Sequence, residues 1–167
     1  MLTIRERAEA GAPAAADLVL PFELRQKSRL LTRLSTGEEV GLMLDRGTVL
    51  RGGDRLRADD GRVVRVVAAD EALMEAACED PTALARCAFH LGNRHTPVEV
   101  RPGALRFAAD DVLAAMLAGL GARVTRITGP FEPEAGAYAA GHQHHSGDAK
   151  HAGIIHDMMG RAARNAR

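Results

Sequence analysis

The chain has 167 residues, enough for one domain or two small ones, and 46% of them are hydrophobic, so a packed core is expected. Lys+Arg and Asp+Glu both number 22, so no net charge draws the chain to nucleic acid or to an anionic membrane; with aromatics at 3%, base stacking is also disfavoured. No apolar run approaches the ~20 residues of a membrane span, and residues 1–16 lack the apolar stretch of a signal peptide, so a cytoplasmic location is the expectation.

The first part of the chain reads as β. Residues 1–16 alternate Arg and Glu with Ala. Leu18, Leu20, Phe22 and Leu24 then alternate with Val19, Pro21, Glu23 and Arg25, a half-buried strand that Pro21 places at a sheet edge or a strand start. Val40, Leu42 and Leu44 alternate again. Turns are expected at Asp45-Arg46-Gly47, Gly52-Gly53-Asp54 and Asp60-Gly61, before the run Val63-Val64-Arg65-Val66-Val67. Short strands between Gly and Asp turns predict a small all-β domain over residues 1–69.

A second rhythm follows. Residues 71–77 form a weakly patterned strand. Asp80 and Pro81 supply an N-cap and a first-turn proline, and Leu84, Cys87, Ala88 and Leu91 share one helical face. Gly92 or Asn93 is expected to end this helix in the left-handed region. Val98 and Val100 mark a strand, Pro102-Gly103 a turn, and Leu105 and Phe107 another strand. Asp110 caps a second helix with the stripe Val112, Leu113, Met116, Leu117 and Leu120, and Gly121 is its stop. A last strand runs over residues 123–128. The order β-α-β-β-α-β predicts a ferredoxin-like domain over residues 70–136, making the whole an α+β chain. Residues 137–167 show no core pattern and read as a flexible, His-containing tail.

Cys78 and Cys87, nine positions apart, fit no CxxC pair and no thiolate zinc pattern; they read as small, reduced, buried apolar residues. Histidine is used unevenly. Five of the seven lie between positions 142 and 156, and the other two are His90 and His95. His90 sits in the last turn of the first helix, beside its apolar face, where the helix dipole favours a partly charged imidazole. His95 follows Gly92-Asn93-Arg94 at a helix-to-strand junction, and its spacing alone does not separate a ligand from an ordinary loop residue. His142, His144 and His145 lie on a Gly-rich segment. Their imidazole nitrogens suit nickel, zinc and copper, whether or not metal binding is the purpose of the tract.

A tetrahedral metal site needs four ligands. The folded part offers His95 and at most His90, so one chain holds a metal weakly. A twofold dimer brings two copies of His95 together, and tail histidines complete the shell. No GxSxG, P-loop or GxGxxG stands in the chain, and Asp110-Asp111 is explained by helix capping, so an enzyme is not expected.

The stretch His90-Leu91-Gly92-Asn93-Arg94-His95-Thr96-Pro97-Val98 resembles the signature of the UreE family of urease accessory proteins. The resemblance extends through Asp110-Asp111-Val112-Leu113, Met116-Leu117 and Gly129-Pro130-Phe131-Glu132-Pro133-Glu134-Ala135-Gly136-Ala137-Tyr138. Upstream it includes Arg25-Gln26-Lys27-Ser28-Arg29 and residues 46–54. It implies a peptide-binding-like β domain, a ferredoxin-like metal-binding domain, and a homodimer with nickel near its twofold axis. It also implies that His95 is the essential ligand, that the tail histidines are auxiliary, and that nickel is delivered to the urease apoprotein together with the urease accessory GTPase. Ala109 and Asp111 stand where some members carry further histidines, so no accessory site is expected there. The competing reading is an interaction adaptor of the urease maturation complex whose metal binding is incidental.

Overall fold

Leu2 and Ile4 alternate with Thr3 and Arg5, and that short pattern is enough to make a strand. In the computed structural model, which describes residues 1–135, it forms β1 (Leu2–Arg7) with both leucine and isoleucine side chains buried. Then follow β2 (Ala16–Leu20), α1 (Phe22–Arg25), β3 (Arg29–Arg33), β4 (Glu39–Met43), β5 (Arg55–Ala58) and β6 (Val63–Ala68). They build one six-stranded sheet in the order β2-β6-β5-β1-β4-β3. β1 pairs parallel with β4, and β2 parallel with β6; the other pairs are antiparallel. Alternate residues (Leu18, Leu20, Val40, Leu42, Leu56, Val64, Val66) point into one aliphatic core, as the period-two pattern requires.

β1, a strand not singled out in the sequence, lies between β4 and β5 inside the sheet. One reading of this part is corrected. The strand expected to run through Leu24 stops at Leu20. Pro21 has no N–H to give a ladder, and its carbonyl accepts from both Leu24 N (3.1 Å) and Arg25 N (3.1 Å), winding residues 22–25 into a helical turn. β2 is an edge strand, as Pro21 implies. The expected turns at Gly47, Gly53 and Gly61 have positive φ (+80°, +94° and +86°), a backbone that glycine enters without a Cβ penalty.

The second sheet begins with β7 (Asp70–Ala77), followed by α2 (Pro81–Gly92), β8 (Glu99–Arg101), β9 (Ala104–Ala108), α3 (Asp111–Gly119) and β10 (Arg123–Pro130). Its strand order is β10-β7-β9-β8, and every pair is antiparallel. Met74, Ala76, Leu105 and Phe107 meet Cys87, Leu91 and Leu117 of the two helices in a second core. Ala88 and Val112, both expected on apolar helix faces, are exposed; Val112, at 79%, follows the Asp110 cap in the first turn. In β8 the inward residue is Glu99 (5% exposed), while Val100 is 52% exposed, the reverse of the valine pattern. The Glu99 carboxylate is used inside: it accepts from Glu132 N (3.0 Å) and pairs with Arg101.

Residues Met1–Glu134 form one compact unit. Phe22, Leu73 and Phe131 make a small third cluster, with the two phenyl rings edge to face at 5.6 Å. Arg25, fully buried, reaches from α1 to the carbonyls of Leu20 (3.2 Å), Leu50 (3.4 Å) and Phe131 and to Glu132 Oε1 (2.8 Å). A buried guanidinium is tolerated only when its donors are satisfied in this way. The Glu132 carboxylate also accepts from Gly52 N (2.7 Å), and a Cβ on Gly52 would lie 2.8 Å from Glu132 Oε1, so glycine is needed for this approach. The expected tail, residues 137–167, lies outside the described residues.

Candidate metal-binding site

α2 starts as its sequence dictates. The Asp80 carboxylate accepts from Thr82 N (3.0 Å) and Ala83 N (3.2 Å), and Pro81 occupies the first helical position, where no N–H is needed. Cys87 and Leu91 anchor the helix in the core, with Leu84 packed beside them.

Its end differs from the expectation. Gly92 has no positive φ and Asn93 is right-handed (φ −61°, ψ −18°). The left-handed residue is His95 itself, at φ +54°, and no other non-glycine residue among those described has positive φ. Thr96 N donates to Leu91 O (3.3 Å) and His95 N to Gly92 O (2.9 Å), the paired bonds that close a helix around a left-handed residue. Pro97 explains the position. A residue before proline avoids the helical region, so Thr96 must extend and the reversal falls on the residue before it.

His95 is exposed, and among the described residues nothing hydrogen-bonds its imidazole. The backbone is thus fixed and the side chain is free to bind. His90, half-buried, has its carbonyl bonded by Arg94 Nη1 (3.0 Å), and its ring meets the Phe89 ring edge-on at 5.5 Å. Phe89 is 63% exposed and was not singled out in the sequence; its signal is that it falls off the Leu84/Cys87/Leu91 face.

The last described residues run beside Val98. Phe131 is buried, and Glu134 N donates to Val98 O (2.8 Å), only three positions beyond His95. His142, His144 and His145 lie outside the described residues. Among the described residues no three His, Cys, Asp or Glu side chains gather to hold a metal ion. Asp110 caps α3 through Val112 N (2.8 Å) and Leu113 N (2.9 Å), and Asp111 pairs with Arg126 (2.8 Å), so both acids have structural partners. No helix among the described residues is long and apolar enough to cross a membrane.

The chain therefore has a strand-rich N-terminal domain and a mixed α+β C-terminal domain that presents one exposed histidine from a helix-to-strand corner. The model of the UreE urease accessory protein N-terminal domain matches residues 3–69, and that of the C-terminal domain matches residues 71–158. The urease accessory protein UreE of Nitrosospira multiformis is 54% identical over 148 residues, covering 89% of this chain and 84% of its own. That of Cupriavidus necator is 59% identical over 130 residues (78% and 68%), and that of Burkholderia vietnamiensis 50% over 151 residues (86% and 76%). The chain belongs to the UreE family of urease accessory proteins.

Proposed function

We propose that the protein is a nickel metallochaperone acting in urease maturation, and that nickel is its cargo. In this reading the ion is held at a homodimer interface by His95 from each chain, with His142, His144 and His145 completing the shell. Zinc or copper would take the same imidazole set. The observation that carries the reading is His95: an exposed, unbonded imidazole on a backbone corner held by two hydrogen bonds. A ligand so placed loses little freedom when it binds, yet remains open to a receiving partner.

The spacing of the tail histidines along the chain supports their role. His142 lies eight positions after Glu134, a reach of at most ~28 Å at the extension limit of the backbone. His95 lies three positions before Val98, at most ~11 Å away by the same limit. A tether of that length lets the tail histidines reach His95. A metal shared between chains would add the second copy of His95 to the ligand set. The proposed division is a β domain over residues 1–69, a ferredoxin-like domain over residues 70–136, supported by the β10-β7-β9-β8 order, and a tail over residues 137–167. The partners would be the urease apoprotein and the urease accessory GTPase, in the cytoplasm.

A second reading, the interaction adaptor, draws on β3. It is an edge strand with Leu31 64% exposed, a surface on which an extended peptide can add a strand. Urease activation in cells separates the two. Loss of activation with His95→Ala supports delivery. Activation that survives His95→Ala but is abolished by disrupting residues 1–69 supports the adaptor.

A further inference from the structure

The two cysteines, nine positions apart in the chain, have their sulfur atoms 4.0 Å apart. Cys78 follows β7, and its backbone is fixed by the bond from its N–H to Gly103 O (3.0 Å). Cys87 faces it from the second turn of α2 and is fully buried in the second core. Exposure of the pair is therefore unequal. Cys78 is half-buried and lines an open cleft with Asp80, Ala83, Gly121 and Arg123, whereas Cys87 is fully buried and does not line it. Both thiols are free.

We propose that Cys78 and Cys87 form a redox modification site that takes a hydroperoxide and closes to an intrachain disulfide. The sulfur atoms need only draw together from 4.0 Å, because the two backbone segments are already packed against one another. The Cys78 sulfur, as thiolate, attacks one peroxide oxygen; an S–O bond forms, the O–O bond breaks, and the alcohol or water half leaves with a proton. The Cys87 sulfur then attacks the Cys78 sulfenic sulfur. An S–S bond forms, the S–O bond breaks, and the hydroxyl leaves as water with the Cys87 proton. The sum is two thiols and one hydroperoxide giving one disulfide, one alcohol (or water) and one water. Burial, aided by the Cys78 neighbour, pushes the Cys87 thiol up to about 11, so Cys87 is not the first to react; in the second step its proton passes to the departing hydroxyl as its sulfur attacks. The product ties the end of β7 to the helix whose far end carries His95.

The chain has two cysteines, so thiol counting is unambiguous. Full-length protein is treated with hydrogen peroxide. Free thiols are counted after denaturation, the intact mass is measured, and non-reducing electrophoresis is run. Both thiols should disappear together from monomeric chains and return with dithiothreitol. In Cys87→Ser, Cys78 should stop at a sulfenic acid that a dione probe traps. In Cys78→Ser, Cys87 should remain a free thiol in the folded protein. Survival of Cys87 as a free thiol in oxidised wild type would overturn the proposal. So would covalent dimers in place of the intrachain bond, or equally fast oxidation of Cys87 in Cys78→Ser. The wild-type thiol count needs no variant to fold.

Discussion

His95 and Gly121 occupy the same position in the same helix-ending motif, one after α2 and one after α3. Gly121 N donates to Ala118 O (3.0 Å) and Ala122 N to Leu117 O (3.1 Å), the counterpart of the bonds from His95 N to Gly92 O (2.9 Å) and Thr96 N to Leu91 O (3.3 Å). At α3 the left-handed residue is the glycine that the motif favours (φ +95°); at α2 it is a histidine (φ +54°). A side chain in this region costs about 1–2 kcal/mol, so the second domain accepts strain at one of two equivalent places and presents an imidazole there.

This comparison gives a stability prediction. His95→Gly should raise stability by roughly 0.5–1 kcal/mol, the left-handed penalty less glycine's greater freedom in the unfolded chain. His95→Ala keeps a Cβ and should change stability little. Gly121→Ala should lower it by about 1 kcal/mol. Urea midpoints at fixed slope would check the order; a His95→Gly variant less stable than His95→Ala would refute the strain.

Arg25 should be among the most costly residues to remove. Arg25→Ala removes the guanidinium from the carbonyls of Leu50 and Phe131, takes one of the donors from Leu20 O and from the Glu132 carboxylate, and opens a buried space. A loss of about 3–5 kcal/mol is expected by urea unfolding, from the cavity left by a large buried side chain together with the orphaned buried carbonyls. Glu132→Gln should cost less, since Glu132 is partly exposed and the amide oxygen can still accept.

Acid should weaken the β domain through exposed carboxylates. The Arg65 guanidinium holds Asp17 below its usual range, the Arg62 guanidinium does the same for Glu38, and the Arg62 backbone N–H and then its side chain do so for Asp60. Groups with lowered folded values contribute fully above their unfolded values, about 4, and lose that contribution as pH falls through the folded ones. The effect is small because these groups are exposed. Asp17→Asn should flatten the fall in urea midpoint below that range, and an unchanged pH profile would contradict this.

Removing residues 142–167 should leave the fold of residues 1–134 intact by circular dichroism. Nickel affinity should drop by about ten- to a hundred-fold or more, a scale that loss of an outer ligand partner alone already reaches. Identical binding by the shortened chain would remove the tail from the site.

Long, strongly patterned segments were legible in the sequence: β6, α2 with Asp80 and Pro81, α3 with Asp110 and Gly121, and the β-α-β-β-α-β order. The misses have local causes. In β1 only Leu2 and Ile4 carry the pattern before three charged residues. The alternation Leu18-Leu20-Phe22-Leu24 fits a strand equally well until Pro21's carbonyl takes two N–H bonds. Arg25 reads as a surface charge because its partners come from as far as 107 positions away. The contact between Cys78 and Cys87 likewise depends on a strand meeting a helix. At the candidate site, composition and the motif singled out His95. Its left-handed backbone was not legible, because the glycine and asparagine before it have the stronger local preference and the proline after it decides the outcome.

The most direct test is calorimetric titration of nickel into the full-length protein and into His95→Ala, with the mass of each species measured in solution. Wild type should bind its tightest nickel at one ion per dimer, and His95→Ala should lose that site while keeping its fold. Unchanged affinity and stoichiometry in His95→Ala would contradict the assignment of His95 as the central ligand.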